Sequence, residues 1–188
     1  MIQQEIGGLR IEQVSKTDHA VLRSVYRLRY EVLVEERRDR RYANPSRLFE
    51  DEHDRRQKAK ILVAKTKDNQ CIGTLRLCPR GRTALLGDQC YKWKILADRL
   101  LISEKDLLPK IGLIDRVCIQ RPFRTQGVFT QLLANAIAIS GRIGLGVLVC
   151  AIHSSNKAAL QSVQRRNFAL YDSPQNPSEI FGHLYREI

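Results

Sequence analysis

Aromatic residues and long apolar runs are both scarce in this chain of 188 residues. Phe, Trp and Tyr make up 6% of the sequence and do not alternate with the arginine-rich stretches as they would on a base-stacking platform. No apolar run reaches the roughly 20 residues of a membrane span, and the opening stretch MIQQEIGGLR lacks the apolar core of a signal peptide. We therefore expect a cytoplasmic protein with no membrane span, for which nucleic acid is not the expected partner.

Cysteine pairs of the kind that bind zinc are also missing from the sequence. The five cysteines show no CxxC spacing, their number is odd, and most fall in apolar runs typical of strands. Reduced and buried thiols explain such a pattern more simply than metal ligands do. We expect no metal at Cys71, Cys78, Cys90, Cys118 and Cys150.

Acidic residues are few relative to basic ones. The chain has 20 Asp and Glu against 32 Lys and Arg, a formal charge of +12. A field of that sign raises the local concentration of anionic partners. Nucleic acid, membrane surfaces, phosphorylated cofactors and acidic carrier proteins all fit, so charge alone does not choose between them. The local runs of arginine at residues 37–41, 54–58 and 164–166 are typical of a solvated face.

The pattern of apolar residues predicts a mixed α/β (or α+β) fold in a single domain. Hydrophobic residues make up 43% of the chain, enough for a sizeable core. A charged stretch at residues 35–58 predicts an irregular cover, and residues 82–110 are ambiguous, with a possible helix at 91–101. Helical periodicity and strand-like runs predict helices at 18–34, 128–140 and 156–167, with Asp18 and Asn156 as N-caps, and strands at 60–66, 71–79, 113–119, 146–152 and 168–173, with a further strand possible in the tail. The stretch KDNQ (67–70) between the first two strands predicts a hairpin turn.

The segment DRVCIQRPFRTQGVFTQLL (residues 115–133) holds Arg124 and Gly127 at the joint between a predicted strand and a predicted helix. Packing explains the strand and the helix but not these two residues. A helix N-terminus carries unpaired N–H groups and partial positive charge, which suit an anion. Gly127 permits a positive φ and close approach of the backbone, and Arg124 adds a charged donor, with Arg121 nearby. The joint predicts a site for pyrophosphate.

Two segments resemble signature segments of the GCN5-related N-acetyltransferase superfamily. VCIQRPFRTQGVFTQLL resembles the superfamily's R/Q-x-x-G-x-G/A loop, with Phe129 where Gly or Ala is usual. NKAALQSVQRRNF resembles the second segment, with Val163 in place of a common tyrosine and Asn167 in place of a glycine. The resemblance implies the superfamily's fold, a central mixed twisted sheet with helices on both faces, as one domain over residues 1–188. It also implies contacts with coenzyme A at Ile119, Arg124, Gln126, Gly127, Val128 and Asn156.

Upstream landmarks resemble a narrower group. YRLRYEVLVEE, FEDEHD and CIGTLRLCP together are similar to the N-acyl-homoserine-lactone (autoinducer) synthases and the related N-acyl amino acid synthases. This resemblance covers about residues 20–172. Leu113 and Asp115 stand where a glutamate and a serine are usual. The matching positions are Arg29, Asp51, Asp54, Gly73, Arg76, Leu77, Pro79 and Arg116.

The resemblance implies an acyltransferase that moves an acyl group from coenzyme A or an acidic acyl carrier protein to a primary amine. The acceptor's ammonium group has to lose a proton, so a nearby carboxylate is useful. We assign that catalytic role to Asp51 and Asp54, with Glu50 and Glu52 left open; a solvated acidic patch is the alternative.

The arginines of this group are the counterparts of those carboxylates. Arg76 lies between Leu75 and Leu77 in a strand, so its side chain points to the opposite face and needs a partner there. We predict a catalytic-site role for Arg76 and substrate binding for Arg29 and Arg116.

Two other functions remain open at this point. One is N-acetylation of a small molecule or a protein with acetyl-CoA as donor. The other is a non-catalytic, anion-binding module that keeps the fold. The sequence does not determine the acyl chain length, the acceptor or the oligomeric state.

Overall fold

A computed structural model of the chain describes residues 3–6, 8–38, 40–55, 59–79, 96–172 and 178–185. Two compact units are present, one formed by residues 1–77 and 115–136, the other by residues 78–114 and 137–188. The single domain predicted from the sequence stays a prediction. Among the described helices, none has the length and apolar character required to cross a membrane.

The first unit is built on antiparallel strands that neighbour each other in chain order. The hairpin predicted around residues 67–70 is confirmed, with Leu62 opposite Leu75 in the register and Asn69 at φ +62° in the turn. Two strands that precede it were not predicted, because they are short and only weakly alternating. The strands are β1 Gln3–Ile6, β2 Leu9–Gln13, β3 Lys60–Lys65 and β4 Cys71–Pro79.

Helix α1 (His19–Tyr30) covers β3 and continues into a π-helical turn, Glu31–Glu36. The predicted N-cap is confirmed, since the Asp18 carboxylate accepts a hydrogen bond from the N–H of Val21 at 3.1 Å. The apolar face of α1 packs against β3 through Leu22, Val25, Tyr26, Ile61 and Val63. The stretch predicted as an irregular cover contains a 3-10 turn, Arg40–Tyr42, and a single helical turn, α2 (Glu52–Arg55).

Strand β5 (Ile111–Ile119) and helix α5 (Val128–Arg142) each contribute residues to both units. The second half of β5 neighbours β4, and the N–H of Gln120 donates to the Ile72 carbonyl at 2.9 Å. A 3-10 turn, Arg121–Phe123, leads to α5. Gly73 lets α5 approach β4, because a Cβ there would lie 2.8 Å from Cγ1 of Val128.

The second unit contains a mixed sheet. The first half of β5 pairs in parallel with β6 (Val147–His153), from Ile111 opposite Val147 to Ile114 opposite Cys150. Strand β8 (Glu179–Tyr185) pairs antiparallel with both β6 and β7 (Ala169–Asp172). The tail therefore adds the last strand that the sequence suggested.

Helices of the second unit are shorter. Residues 96–100 form α3, which agrees with the helix suggested at 91–101, while residues 80–95, including Cys90, lie outside the described part. The others are α4 (Glu104–Leu107), the 3-10 turn Leu108–Lys110 and α6 (Lys157–Gln164). Leu96 and Leu107 pack against Ile111 and Leu113 of β5 and against β6 to form this unit's core. The mixed α/β fold predicted from the sequence is confirmed.

Candidate functional site

Arg76 is the centre of a buried ion cluster in the first unit. Its side chain has no solvent exposure, and Nε and one terminal nitrogen donate to the two carboxylate oxygens of Asp115, both at 2.7 Å. The other terminal nitrogen lies 2.5 Å from Oδ1 of Asp51 and 3.0 Å from Oδ1 of Asp54. The sequence predicted that Arg76 would need a partner on its face of β4, and the structure gives it three.

Asp51 and Asp54 hold each other in place across α2. The Asp51 carboxylate accepts from the N–H groups of His53 at 2.9 Å and Asp54 at 3.3 Å, so it caps this short helical turn. The Asp54 carboxylate in return accepts from the N–H of Asp51 at 3.0 Å. The two aspartates singled out in the sequence are therefore brought together, and their orientation is fixed by the backbone.

Arg29 reaches the cluster from α1. Its terminal nitrogen donates to Oδ1 of Asp54 at 2.8 Å, and both side chains are completely buried. The guanidinium carbon lies 5.7 Å from the centre of the Tyr26 ring. Nε and the second terminal nitrogen of Arg29 have no hydrogen-bond partner among the described residues. Arg29 consequently has two buried donors that no described residue uses.

Arg116 reaches the cluster from β5 with an unusual backbone. Its φ is +50°, a left-handed value that few residues other than glycine adopt and that often marks a strained functional position. The side chain is one third exposed, donates from Nε to Oδ2 of Asp51 at 2.9 Å, and lies over the ring of Phe49 at 4.9 Å. The left-handed residue interrupts the regular alternation of β5 and thereby positions this side chain against Asp51.

The cluster is electrically balanced, with three arginines and three aspartates. Burial alone would raise the pKa of Asp51, but the hydrogen bonds and charges of Arg76 and Arg116 outweigh it and hold that pKa well below its usual range. Burial alone would lower the pKa of Arg76, but Asp115 and Asp51 keep it raised. Asp51 and Arg76 are therefore both charged in the folded protein.

The second group of site residues predicted from the sequence lies around the start of α5. Gly127 has φ +75°, as the sequence predicted for this joint, and no atom of the described residues lies within 4 Å of where a Cβ would be. The first helical hydrogen bond runs from the N–H of Gln131 to the Gly127 carbonyl at 3.1 Å. The N–H groups of residues 127–130 thus have no partner within the helix. They are available to an anion.

The other predicted residues of this group lie next to the start of α5: Ile119, Arg124, Gln126 and Val128. Arg124 donates from Nε to the Ile119 carbonyl at 3.0 Å and forms an ion pair with Glu36 at the end of the π-helical turn. Gln126 donates from its side chain to the Pro122 carbonyl at 3.1 Å. The side chain of Val128 is fully buried, so only its main chain is suited to a ligand.

The remaining predicted position, Asn156, lies in the second unit. Its side chain accepts from the N–H of Ala159 at 3.2 Å and caps α6, as the sequence predicted. Its contact with a donor stays a prediction. Asn167 has φ +62°, which explains why a glycine or asparagine is needed at that position, and Val163 is buried.

Three residues of the site were missed in the sequence. Asp115, Phe49 and Glu36 contact Arg76, Arg116 and Arg124 respectively. A carboxylate inside the apolar run LIDRVCI was the available signal for Asp115, because a charge at such a position needs a partner. Phe49 and Glu36 gave no comparable signal.

The sequence model of one family matches most of the chain. The matching family is described as N-acyl amino acid synthase FeeM, and residues 24–171 are matched. This protein belongs to the N-acyl amino acid synthase FeeM family. It is therefore an acyltransferase, as the resemblances in its sequence predicted. No curated protein sequence matches the chain significantly.

Solved structures similar to this family member have the GNAT fold. BjaI, a CoA-dependent acyl-homoserine lactone synthase solved with MTA, is 19% identical, with 95% of this chain and 85% of BjaI covered at a TM-score of 0.68. TofI, solved with an inhibitor and MTA, is 15% identical; the match covers 93% of this chain and 89% of TofI, with a TM-score of 0.66. The GNAT domain of S. lividans PAT is 11% identical, with 95% and 90% covered at 0.65. At such identities the likeness establishes the fold alone.

Proposed function

We propose that this protein transfers an acyl group from a thioester carrier to the amine of a small acceptor that also bears a carboxylate. The observation that carries the proposal is the buried ion cluster, which reaches solvent only in part. Arg116 is 33% exposed, Asp115 is 23% exposed and Asp51 is 19% exposed, whereas Arg29, Asp54 and Arg76 are fully buried. An anionic and a cationic group thus stand together at the accessible edge of a fixed network.

That edge complements an amino acid. The Asp51 carboxylate attracts an ammonium group, and Arg116 has a terminal nitrogen with no protein partner among the described residues to meet a carboxylate. Asp51 is held in place by the Arg76 guanidinium and by the main chain of His53, and Arg116 is held against Asp51 and the ring of Phe49. The family's description as N-acyl amino acid synthases supports the same acceptor class.

The donor side rests on the start of α5. Free N–H groups, the open space at Gly127 and the Arg124 guanidinium suit a phosphate group. Coenzyme A and the phosphopantetheine arm of an acyl carrier protein both carry phosphate, and the +12 charge of the chain attracts either one. The name of BjaI as a CoA-dependent synthase supports a coenzyme A thioester. An acidic carrier protein remains the second donor to be tested.

In the transfer itself, the neutral amine attacks the thioester carbonyl. The carbon–nitrogen bond forms, the carbon–sulfur bond breaks, and the thiolate leaves with a proton. The developing oxyanion needs a fixed donor, and a main-chain N–H of residues 113–120 fills that role without any special side chain. The cluster's part is to orient the amine for attack.

The experiment offers the purified protein three donors: a long-chain acyl-CoA, the same acyl group on a carrier protein, and acetyl-CoA. Each is mixed with a set of amino acids, and products are identified by mass spectrometry. We expect N-acylated amino acids from a long-chain donor. Product from acetyl-CoA only would support an ordinary acetyltransferase, and donor binding without any product would refute the proposed activity.

Arg124→Ala tests the donor site in the same assay. If the guanidinium makes a charge-assisted bond to phosphate, donor binding weakens by roughly 1.5–3 kcal/mol. Arg142→Ala, at the other end of α5, removes the same charge and serves as the matched control. An unchanged dissociation constant in the Arg124 variant would remove this residue from the site.

A further inference from the structure

None of the three aspartates in the cluster is free to take a proton. Asp115 binds Arg76 through both oxygens, Asp54 is fully buried against two arginines, and Asp51 is shared by Arg76 and Arg116. Protonating any of them would remove a charge-assisted bond in a buried setting, which is costly. The very property that orients the amine makes these carboxylates poor proton acceptors.

Glu50 differs from them in every respect. It immediately precedes Asp51, is 34% exposed, and among the described residues is bonded through its side chain to Arg55 alone, at 3.3 and 3.4 Å. The Arg55 side chain is itself 75% exposed, so this is a surface pair of little strength. Glu50 can therefore exchange Arg55 for another cation without disturbing the fold.

The position of Glu50 is fixed on both sides. Phe49, on one side, is buried in the cluster of Tyr30 and Val34 and supports Arg116. Asp51, on the other side, is the N-cap of α2. Within the described part of the chain, the titratable and charged groups next to Glu50 are Arg55 from α2 and Tyr26 from α1. Burial, then Asp54 and Glu50, raise the pKa of Tyr26 to about 12, which indicates that this hydroxyl lies near both carboxylates and keeps its proton.

We propose that Glu50 is the proton acceptor of the reaction, with Asp51, Asp54 and Arg76 acting as positioning residues. This rests on the proposed function. The ammonium group of the acceptor, held at Asp51, gives one proton to the Glu50 carboxylate and becomes a neutral amine. After attack, the second proton passes to the departing thiolate, which leaves as the thiol. Glu50, being exposed, then releases its proton to solvent, and the balance closes with one proton freed per amide formed.

The test compares Glu50→Gln with Glu52→Gln in the acyl-transfer assay. Glu52 lies two residues away, is 77% exposed, and carries the same charge, so it is the matched control. We expect kcat at pH 7 to fall roughly a hundredfold or more in the Glu50 variant only, with the dissociation constant for the donor unchanged. Partial recovery in Glu50→Asp is also expected.

The pH dependence separates proton transfer from a merely structural role. At a pH above the pKa of the acceptor amine, the amine is already neutral and needs no base, so the deficit of Glu50→Gln should shrink steeply between pH 7 and pH 10. A deficit that is constant over that range would overturn the proposal. So would an equal loss in Arg55→Gln, because the role of Glu50 would then be to hold Arg55. Absence of product from the wild-type protein would instead count against the proposed function itself.

Discussion

The ion cluster around Arg76 and the start of α5 differ in how their charged and polar groups are paired. In the cluster each aspartate is paired with an arginine, and among the described residues the buried cluster donors without a partner are Nε and one terminal nitrogen of Arg29. At the start of α5 the N–H groups of residues 127–130 have no partner within the helix among the described residues, and Arg124 is held by one bond to the Ile119 carbonyl and an exposed ion pair with Glu36. The first region is fixed and the second is exchangeable, which is what an orienting site and a binding site respectively require.

The largest expected effect is on stability, in the variant Arg76→Gln. The change removes the arginine that binds both oxygens of Asp115 and takes one of the two arginine partners from each of Asp51 and Asp54, so we expect a loss of about 3–5 kcal/mol in the free energy of unfolding. Urea denaturation measures it. Arg55→Gln, which breaks an exposed pair, should cost less than about 1 kcal/mol. Similar losses in both variants would mean that the cluster is no different from a surface pair.

A second prediction concerns acid. Because the pKa of Asp51 is lowered in the folded state, its charge contributes its full stability above the unfolded value of about 3.9. Below that pH the unfolded chain binds a proton that the folded chain does not, so the contribution is lost as the pH falls towards the folded value.

The measurement compares Asp51→Asn with the wild type in urea between pH 6 and pH 2.5. The difference in free energy of unfolding should be constant above about pH 4.5 and should shrink below it. Asp68→Asn, in the exposed turn between β3 and β4, removes the same group far along the chain and is the matched control. A difference that stays constant down to pH 2.5 contradicts the role given to the arginines.

The smallest expected effect concerns donor binding at the start of α5. Glu36 competes with phosphate for Arg124, so Glu36→Gln should tighten the binding of coenzyme A by about two- to fivefold, in keeping with the strength of an exposed ion pair. Glu35→Gln is the matched control, because Glu35 is the neighbouring residue, is similarly exposed and pairs with Arg47 instead. Calorimetric titration distinguishes them, and equal tightening would reduce the effect to overall charge.

Local signals in the sequence were sufficient for much of the fold. Asp18 and Asn156 cap helices as predicted, because an N-cap depends on a side chain and the next three residues only. The hairpin of β3 and β4 was equally readable from its turn. Strands β1 and β2 were not, since short strands are defined by the partners they pair with rather than by their own pattern.

The candidate site was predictable in its members but not in its arrangement. Arg76 was expected to need a partner, yet only the register of β4 and β5 makes that partner Asp115. The left-handed φ of Arg116 has no signature in its own side chain, because it is imposed by the surrounding structure. Contacts between residues distant in the chain, such as Glu36 with Arg124, were similarly beyond local reasoning.

Gly73 sets the distance between the ion cluster and the start of α5. It stands three residues before Arg76 on β4, about 10 Å along the strand, and its missing Cβ lets the first turn of α5 rest directly on that strand. The distance between the N–H groups at the start of α5 and the guanidinium of Arg76 is thus determined by one segment of β4. A side chain at this one position would lift the helix and lengthen that span while leaving every charged group unaltered.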